Sequence, residues 1–475
     1  MPFSFFSADA RDMLMKFFGT SGIRNLCPQE VSPALALSLG SIFAKENSPL
    51  IIGSDARRTS HMLKASIAAG ASGAGARVID ISLCATPTLA YYCKKLNCRG
   101  AMATASHNPP EYNGIKLFEA GKEIEKSEEK KIESLLLKRT QKICLWKNAG
   151  AIENHEKKAQ DAHLSLLLSS IDKNLILQKK PKIVVDLANM SACALMPKAL
   201  EAAGCEAVSI NSAPGEPFGR DLEPKQETLS ALSSRIREVG ADFGIAHDGD
   251  ADRAIIADER GEVLGLDKQL ALIVDDILSN AKKGKPGAKE NSASGEAGKK
   301  NTIVSTVESS LSLREIVESH NALLEITSVG SLNVAKKMRE KNALFGGEPC
   351  GEYIFKNGAG SPDGLMAGLY FAQLFCQKGK FSSLASKIKA YPIKRAKILC
   401  ANSKKKKAMA QISKHWPLSP PSRADGLYSQ ERWGWALVRP SGTENYVRIT
   451  MEARDGASLG ENFSKIEKIV KKACK

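Results

Sequence analysis

The sequence predicts an α/β protein that consists of three similar units followed by a smaller fourth unit. Three short runs rich in isoleucine and valine lead to this prediction, at residues 50–55, 182–186 and 302–306. Small or acidic residues end each run, a pattern typical of a buried strand in a parallel sheet. The chain of 475 residues is also long enough for three or four domains of roughly 150 residues each.

Helical patterns follow the first two runs. The clearest covers residues 196–203 and ends at Gly204, because glycine readily adopts the left-handed conformation found after a helix. Residues 282–300 are rich in lysine, glycine and serine, and we expect them to form a surface loop. The fourth unit begins after about residue 380. It is predicted to contain two strands around the turn-rich loop RPSGTEN, followed by an amphipathic helix.

The chain carries a net charge of +16 at pH 7, a balance that is also typical of nucleic-acid-binding proteins. Its lysines are dispersed, or lie in predicted surface runs such as residues 404–407, and no basic motif is interleaved with aromatic residues. We therefore expect no nucleic-acid partner. A positive field would instead suit an enzyme that collects anionic substrates.

Several features indicate a cytoplasmic protein. No apolar stretch reaches the length of about 18 residues that a membrane span needs, so we expect no membrane partner. No signal peptide is predicted at the start of the chain, where Met1, Met13 and Met15 are all candidate start residues. Eleven cysteines are scattered without a CxxC pair, which argues against a disulfide framework or a zinc site. Whether the protein is a monomer or a homo-oligomer stays open.

The first motif with chemical potential is TASHNPPEYNGIK at residues 104–116. Its Asn, Pro and Gly residues predict an ordered loop, and Ser106 is expected to lie exposed at the start of this loop, next to His107. A serine hydroxyl is a poor nucleophile unless a base or a charged group assists it. Ser106 is therefore a candidate nucleophile, although such a triplet is often only a turn.

The second motif places three aspartates at alternating positions after an apolar strand, in ADFGIAHDGDADR at residues 241–253. Asp248, Asp250 and Asp252 would repel each other strongly unless a cation lay among them. Oxygen ligands without His or Cys at the alternate positions favour Mg²⁺ over a transition metal. A solvated acidic turn and a calcium loop are alternatives, but the glutamate that ends a calcium loop is missing.

Three further motifs suggest binding loops. Arg439 and the hydroxyls and glycine of RPSGTEN could cradle a phosphate, because a guanidinium makes bidentate contacts and glycine leaves backbone N–H groups accessible. The loop GGEPCGE at residues 346–352 holds two carboxylates that could accept hydrogen bonds from sugar hydroxyls. FGTSGIR places Arg24 just past a turn. The run GSDARRTS at residues 53–60 looks structural, as the end of a strand followed by a helix N-cap.

Together, and in the order in which they follow one another along the chain, these motifs resemble the α-D-phosphohexomutase superfamily of phosphoglucomutases, phosphomannomutases and phosphoglucosamine mutases. The resemblance extends from Phe18 to about Arg454. It implies three similar α/β domains with mixed sheets, a smaller α+β C-terminal domain and an active site in the central cleft. Domain I, residues 1–155, would carry the phosphoserine loop, and domain II, residues 156–257, the metal-binding loop. Domain III, residues 258–380, would carry the sugar-binding loop, and domain IV, residues 381–475, the phosphate-binding loop.

The resemblance also implies roles for individual residues. Ser106 would be the phosphoserine and would bind one Mg²⁺ ion together with Asp248, Asp250 and Asp252. The cationic side chains around the transferred phosphoryl group would be Arg24, Lys116 and Arg253. The residues implied to contact the substrate are His107, Gly330, Glu348, Cys350, Glu352, Arg439, Ser441, Gly442, Thr443 and Arg448.

The implied reaction interconverts hexose 6-phosphate and hexose 1-phosphate through phospho-Ser106, with a hexose 1,6-bisphosphate as intermediate and activator. The GGEPCGE loop, followed by an Ile-Phe pair, is similar to that of archaeal-type phosphoglucosamine mutases. Glucosamine 6-phosphate is therefore the expected substrate, with phosphomannomutase or phosphoglucomutase activity as the alternative. A non-catalytic sugar-phosphate binding protein and a hydrolase are more distant alternatives, and the intact serine and aspartates argue against the first of these.

Some residues depart from the family pattern. Many relatives have serine at the position of Cys350. They also have histidine, a candidate general base, at the position of Glu352. The second domain of many relatives opens with Asp-x-Gly-Asn-Gly, whereas residues 186–190 read DLANM, so this turn must form without glycine.

Overall fold

The computed structural model describes residues 17–19, 21–45, 48–215, 217–282, 300–419, 425–441 and 445–474. Several positions singled out above lie outside the described residues, namely Met1, Met13, Met15, Gly442, Thr443 and residues 283–299 of the predicted surface loop. In the part of the chain that is described, no helix is both long enough and apolar enough to cross a membrane.

The first unit is a mixed sheet of seven strands covered by helices. The strands are β1 (Ile23–Leu26), β2 (Leu50–Ser54), β3 (Val78–Leu83), β4 (Arg99–Ala103), β5 (Tyr112–Glu119), β6 (Lys122–Glu123) and β7 (Ile152–Asn154). Their order is β1-β5-β4-β2-β3-β7, and β6 pairs with β5. The helices are α1 (Pro33–Phe43), α2 (Ser60–Gly73), α3 (Thr86–Leu96) and α4 (Lys126–Leu137).

The second unit has four strands in the order β11-β10-β8-β9. These strands are β8 (Lys182–Asp186), β9 (Glu206–Ile210), β10 (Phe243–Ala246) and β11 (Ile255–Ala257). The accompanying helices are α5 (Glu156–Ser169), α6 (Lys173–Lys179), α7 (Met196–Ala203) and α8 (Ser230–Val239). As predicted, α7 ends at Gly204, which adopts a left-handed φ of 102°.

The third unit repeats this arrangement, in the strand order β13-β12-β14-β15. Its strands are β12 (Thr302–Thr306), β13 (Leu323–Thr327), β14 (Phe345–Glu348) and β15 (Glu352–Phe355). Its helices are α9 (Leu266–Lys282), α10 (Leu311–Ser319), α11 (Ser331–Lys341), α12 (Gly364–Lys378) and α13 (Phe381–Lys387). The predicted boundary at residue 380 had assigned α13 to the fourth unit, but Phe381 packs against Phe371 of α12 in the core. Helix α12 is apolar on nearly every face because it packs against both this unit and the second one.

The first three sheets share one topology. In each, the strand predicted from an isoleucine- and valine-rich run (β2, β8 or β12) lies between two parallel neighbours. One of these neighbours (β4, β10 or β14) then pairs with an antiparallel strand. The prediction of three similar α/β units with mixed sheets is therefore confirmed. The loops after β4, β10 and β14 occupy equivalent places in the three sheets.

The fourth unit is smaller, as predicted, and its sheet is antiparallel with four strands, two more than the sequence indicated. Its strands are β16 (Ile393–Leu399), β17 (Leu427–Glu431), β18 (Gly434–Pro440) and β19 (Tyr446–Ala453), in the order β16-β19-β18-β17. Helices α14 (Asn402–His415) and α15 (Gly456–Cys474) pack against it. Buried Glu452 joins this unit to the third one, because its carboxylate accepts hydrogen bonds from the Ser310 hydroxyl and the Leu311 N–H.

The turn that opens the second unit does form without glycine. Ala188 and Asn189 adopt left-handed φ angles of 53° and 57°. The backbone N–H of Ala188 donates to Asp186 at 3.0 Å, and that of Asn189 donates to the Asn211 carbonyl at 2.6 Å. These hydrogen bonds stabilise a backbone conformation that residues other than glycine rarely adopt.

Candidate active site

Three loops from the first three units converge on one cavity. Ser106 follows β4, the three aspartates follow β10, and Glu348 ends β14. The cavity has a volume of about 430 Å³. The predicted site residues that line it are Arg24, Ser106, His107, Lys116, Asp252, Arg253, Gly330, Glu348, Cys350 and Glu352. The equivalent positions of the loops explain this convergence, because the carboxyl ends of parallel strands open on one side of each sheet.

Ser106 lies inside this site, with only 2% of its surface exposed, so the prediction of an exposed serine was wrong. The aspartate loop covers the serine loop so closely that a Cβ on Gly249 would lie 2.3 Å from the Ser106 carbonyl oxygen. The Ser106 hydroxyl donates to Asp248 Oδ2 at 2.7 Å and lies 3.2 Å from His107 Nδ1. Its φ of 52° is left-handed, a strain typical of functional positions.

A buried arginine holds the serine loop in place. Arg57 donates to the carbonyl oxygens of Ser106 at 2.8 Å and Asn108 at 2.6 Å, and also to those of Pro109 and Tyr112. Its charge is paired with Asp55, which also accepts a hydrogen bond from the Thr104 hydroxyl at 2.6 Å. The run at residues 53–60 is therefore more than a strand end and a helix start. It positions the candidate nucleophile.

We expect Arg57→Gln to destabilise the protein by about 3–5 kcal/mol, because it removes the cation that is paired with the buried Asp55 carboxylate and the donors to several carbonyl groups. Activity should fall as well, since the serine loop loses its support. Chemical denaturation measures the first effect and initial rates the second. The exposed neighbour Arg58 provides the control, and Arg58→Gln should change either quantity little. Equal effects of the two changes would contradict the positioning role.

The three aspartates form a buried group that fits a cation. One carboxylate oxygen from each of Asp248, Asp250 and Asp252 lies within 4.8 Å of the others. The Oδ1 atoms of Asp250 and Asp252 are buried and accept no hydrogen bond from the described residues. Buried carboxylate oxygens without partners are costly, and hard oxygen ligands are those that Mg²⁺ prefers. The residues present therefore fit the predicted ion.

Lys116 offsets part of this negative charge. Its ammonium lies 2.7 Å from both Asp250 Oδ2 and Asp252 Oδ2. Burial opposes the charge, but the two carboxylates raise the pKa of Lys116 well above its ordinary value. Burial and the charges of Asp252 and Asp250 raise the pKa of Asp248. One ammonium does not by itself balance three carboxylates.

The predicted sugar loop is held by a glycine and an arginine. Gly330, whose φ of 115° favours glycine, donates its N–H to Glu348 Oε2 at 3.0 Å. Arg253 Nη2 donates to Glu352 Oε1 at 3.2 Å. Burial, followed by the charge of Glu352, raises the pKa of Glu348 to about 8. Burial also raises the pKa of Cys350 and that of Glu352.

The raised pKa of Glu348 leads to a pH-dependent prediction. Sugar hydroxyls donate to the ionised form, so the carboxyl must lose its proton on binding, and this cost disappears above the pKa of about 8. The affinity for glucose 1-phosphate should therefore rise with pH by up to about tenfold per unit below pH 8. Calorimetry measures this affinity. Working above about pH 7 avoids interference from the titration of the phosphate group of glucose 1-phosphate.

Glu348→Gln removes the titrating group and should flatten this profile. A wild-type affinity that does not change between about pH 7 and pH 8 would contradict the assignment of Glu348 to the sugar.

A second cavity, of about 490 Å³, lies on the sheet of the fourth unit. Arg439 and Arg448, which are predicted to belong to the phosphate site, line it together with Arg395 and Lys397, which no motif had indicated. Glu308 lines both cavities and lies 3.7 Å from Arg439 Nη1, so the two cavities adjoin.

The phosphate loop has a support that sequence patterns did not reveal. Lys405 is buried, and its ammonium donates to the Ser441 carbonyl at 2.5 Å. The prediction that residues 404–407 form a surface run was therefore wrong for Lys405. This side chain points from α14 into the loop after β18, whereas Lys404, Lys406 and Lys407 are exposed.

Models of phosphoglucomutase/phosphomannomutase domains match nearly the whole chain. The alpha/beta/alpha domain models I, II and III match residues 15–143, 161–261 and 267–391, and the C-terminal domain model matches residues 396–469. Each match contains one of the loops described above, in the same order along the chain.

Relatives match over the same length. A probable phosphoglucosamine mutase from Methanosarcina barkeri is 35% identical and covers 97% of this chain and 100% of that protein. A phosphoglucosamine mutase from Methanococcus vannielii is also 35% identical, over 94% of this chain and 97% of its own. The crystal structure of a phosphoglucomutase/phosphomannomutase family protein from Burkholderia thailandensis shares the fold. Its TM-score is 0.81, with 21% identity and coverage of 96% and 97% of the two chains.

Proposed function

The chain belongs to the phosphoglucomutase/phosphomannomutase family, and on that basis we propose that it is a phosphohexomutase that acts through phospho-Ser106. The observation that carries this proposal is the position of Ser106 Oγ. It lies 2.7 Å from Asp248, inside a cavity that Arg24, Lys116 and Arg253 also line. A hydroxyl between buried carboxylates and several cations is suited to exchanging a phosphoryl group.

The reaction begins with transfer of the phosphoryl group from Ser106 to the free hydroxyl of a hexose phosphate. The bond between Ser106 Oγ and phosphorus breaks and a bond between the sugar oxygen and phosphorus forms. Ser106 Oγ gains a proton, so that the serine ends the step as a free hydroxyl, and the sugar hydroxyl loses its proton to a base. We assign this proton to Glu352, because burial raises the pKa of its carboxyl above the ordinary value and so makes it a stronger base. Arg24, Lys116 and Arg253 offset the charge of the moving group.

The predicted metal ligands contribute to the same step. Asp248, Asp250, Asp252 and a phosphoserine oxygen would hold one Mg²⁺ ion, which when bound neutralises negative charge on the phosphoryl group. Thr86 supports this arrangement, since its hydroxyl donates to Asp250 Oδ2 at 2.6 Å and its N–H to the Asp250 carbonyl at 2.9 Å.

The product of the first transfer is a hexose 1,6-bisphosphate, which must turn over before its other phosphate returns to Ser106. In both orientations the phosphate that is not transferred binds the loop of the fourth unit. The residues proposed to hold it are Arg439, Ser441, Gly442, Thr443 and Arg448. The sugar or its phosphate is contacted from the other side of the cleft by four further residues, namely Glu348, Cys350, Gly330 and His107.

The preferred substrate is glucosamine 6-phosphate, which the enzyme converts to glucosamine 1-phosphate in the cytoplasm. The names of the two relatives that match over nearly their full length support this choice. Phosphomannomutase or phosphoglucomutase activity is the alternative, because the contacts of one short loop decide between an amino group and a hydroxyl at carbon 2.

A mutase assay tests the proposal. Purified protein is incubated with Mg²⁺, a trace of glucose 1,6-bisphosphate and, in parallel, the 6-phosphates of glucosamine, glucose and mannose. We expect glucosamine 1-phosphate to form fastest and a metal chelator to stop its formation. Comparable rates with all three sugars would show that the protein is a phosphohexomutase of broad specificity and would contradict the substrate assignment. No turnover of any sugar, by protein with Ser106 phosphorylated, would overturn the proposed function.

A further inference from the structure

Four cationic side chains share one face of the sheet in the fourth unit. The register places Lys397, Arg448 and Arg439 directly opposite one another across the neighbouring strands β16, β19 and β18. Arg395 precedes Lys397 by two residues, and side chains two positions apart on a strand lie on the same face. All four line the cavity of about 490 Å³.

This arrangement favours the binding of an anion. Like charges directly opposite on neighbouring strands destabilise a sheet. Glu308 is the only carboxylate among the described residues that line the cavity. Asp267, at the start of α9, also interacts with Arg395, but burial raises the pKa of this carboxyl to about 6. Among the described residues that line the cavity, cationic side chains therefore outnumber carboxylates, and such a face attracts anions.

The cations extend beyond the predicted phosphate loop. Arg439 and Arg448 belong to the strands that flank this loop, whereas Arg395 and Lys397 belong to β16, on the far side of β19. Tyr446 connects the two pairs, since the Lys397 ammonium lies 4.7 Å and the Arg448 guanidinium 5.5 Å from the centre of its ring. Arg395 and Lys397 are also exposed to solvent, so their side chains can move with a ligand.

We propose that Arg395 and Lys397 form a second anion position beside the phosphate loop, which takes a phosphate group of the hexose 1,6-bisphosphate while this intermediate turns over. The proposal rests on the proposed function. During turnover both phosphates must leave their places, one at Ser106 and one in the loop. A ligand released from both would diffuse away unless another part of the same cavity attracted it. Flexible cations next to the loop provide that attraction without demanding one fixed orientation.

The experiment follows the intermediate directly. Wild-type protein carrying ³²P on Ser106 is mixed with unlabelled glucosamine 6-phosphate, and labelled glucosamine 1,6-bisphosphate in solution is counted after one turnover. For Arg395→Gln and Lys397→Gln we expect release of the bisphosphate to increase about fivefold. The glucose 1,6-bisphosphate concentration that gives half-maximal activation should rise by a similar factor. The KM for glucosamine 6-phosphate should change less than about twofold, because the loop that binds the monophosphate is intact.

A matched control lies on the same strand. Lys394 points to the opposite face, where its ammonium lies 4.5 Å from the centre of the Phe463 ring. Lys394→Gln removes the same charge and should leave bisphosphate release unchanged, and Arg395→Lys should restore most of the retention. Unchanged release from Arg395→Gln and Lys397→Gln, or an equal increase in Lys394→Gln, would overturn the second anion position alone. A wild-type protein that forms no labelled sugar phosphate would overturn the proposed function as well.

Discussion

Replacing Ser106 with alanine is expected to reduce mutase turnover by ~10⁴-fold or more. Among the described residues that line the cavity, Ser106 alone has a hydroxyl that hydrogen-bonds to one of the three aspartates, so no other hydroxyl can replace it. The variant should also fail to incorporate ³²P from labelled glucose 1,6-bisphosphate. Initial rates and the mass of the intact protein measure the two effects. Binding of glucose 1-phosphate should persist, since its contacts come from the other loops.

The backbone at Ser106 provides a control for misfolding. Alanine at a φ of 52° keeps the left-handed strain, which costs about 1–2 kcal/mol, whereas glycine removes it. Glycine also gains entropy in the unfolded chain, worth about 0.5–1 kcal/mol. Ser106→Gly should therefore be as stable as Ser106→Ala or slightly more stable, and equally inactive. Activity in either variant would show that another residue carries the phosphoryl group.

Features encoded locally could be predicted from the sequence. The strands β2, β8 and β12 were recognised because apolar residues without polar interruption must be buried on both faces of a sheet. The alternating aspartates were recognised because their spacing alone brings the carboxylates together, and the structure places their oxygens within 4.8 Å. In both cases residues close in the chain determine the result.

Features that depend on contacts between distant segments could not be predicted. Arg57 resembles any arginine after a strand, and only the return of the chain 49 residues later brings the Ser106 carbonyl to it. The burial of Ser106 depends on the second unit packing its aspartate loop over the first. Lys405 lies in a lysine run that resembles a solvated helix face, and its role appears only when α14 packs beside the loop after β18.

Asp248→Asn is expected to lower turnover by about 10³-fold and yet to make the metal-free protein more stable. Burial and the other two aspartates raise the pKa of Asp248 in the folded protein. A raised pKa means that the folded state loses stability as the pH rises above the ordinary value of an aspartate, so at neutral pH the ionised Asp248 is unfavourable without a cation. Asparagine has nearly the same shape and removes that charge.

The stability gained from Mg²⁺, in contrast, should be smaller in the variant than in the wild type. Wild-type protein should gain about 2.7 kcal/mol of stability at a Mg²⁺ concentration 100 times its Kd. The variant should gain much less, because it has lost a ligand. Thermal unfolding in a chelator and in Mg²⁺ measures both effects.

Asp258 provides the matched control for this prediction. It is buried too, but it is paired with Arg260 at 2.7 Å and accepts the backbone N–H groups of Arg260 and Glu262. Asp258→Asn should therefore lower stability in both conditions and leave the gain from Mg²⁺ unchanged. The two substitutions remove the same charge, so the opposite signs expected without metal distinguish a site arranged for a cation from a carboxylate that the protein itself satisfies. A metal-free Asp248→Asn protein less stable than wild type, with an undiminished response to Mg²⁺, would show that the ion binds elsewhere.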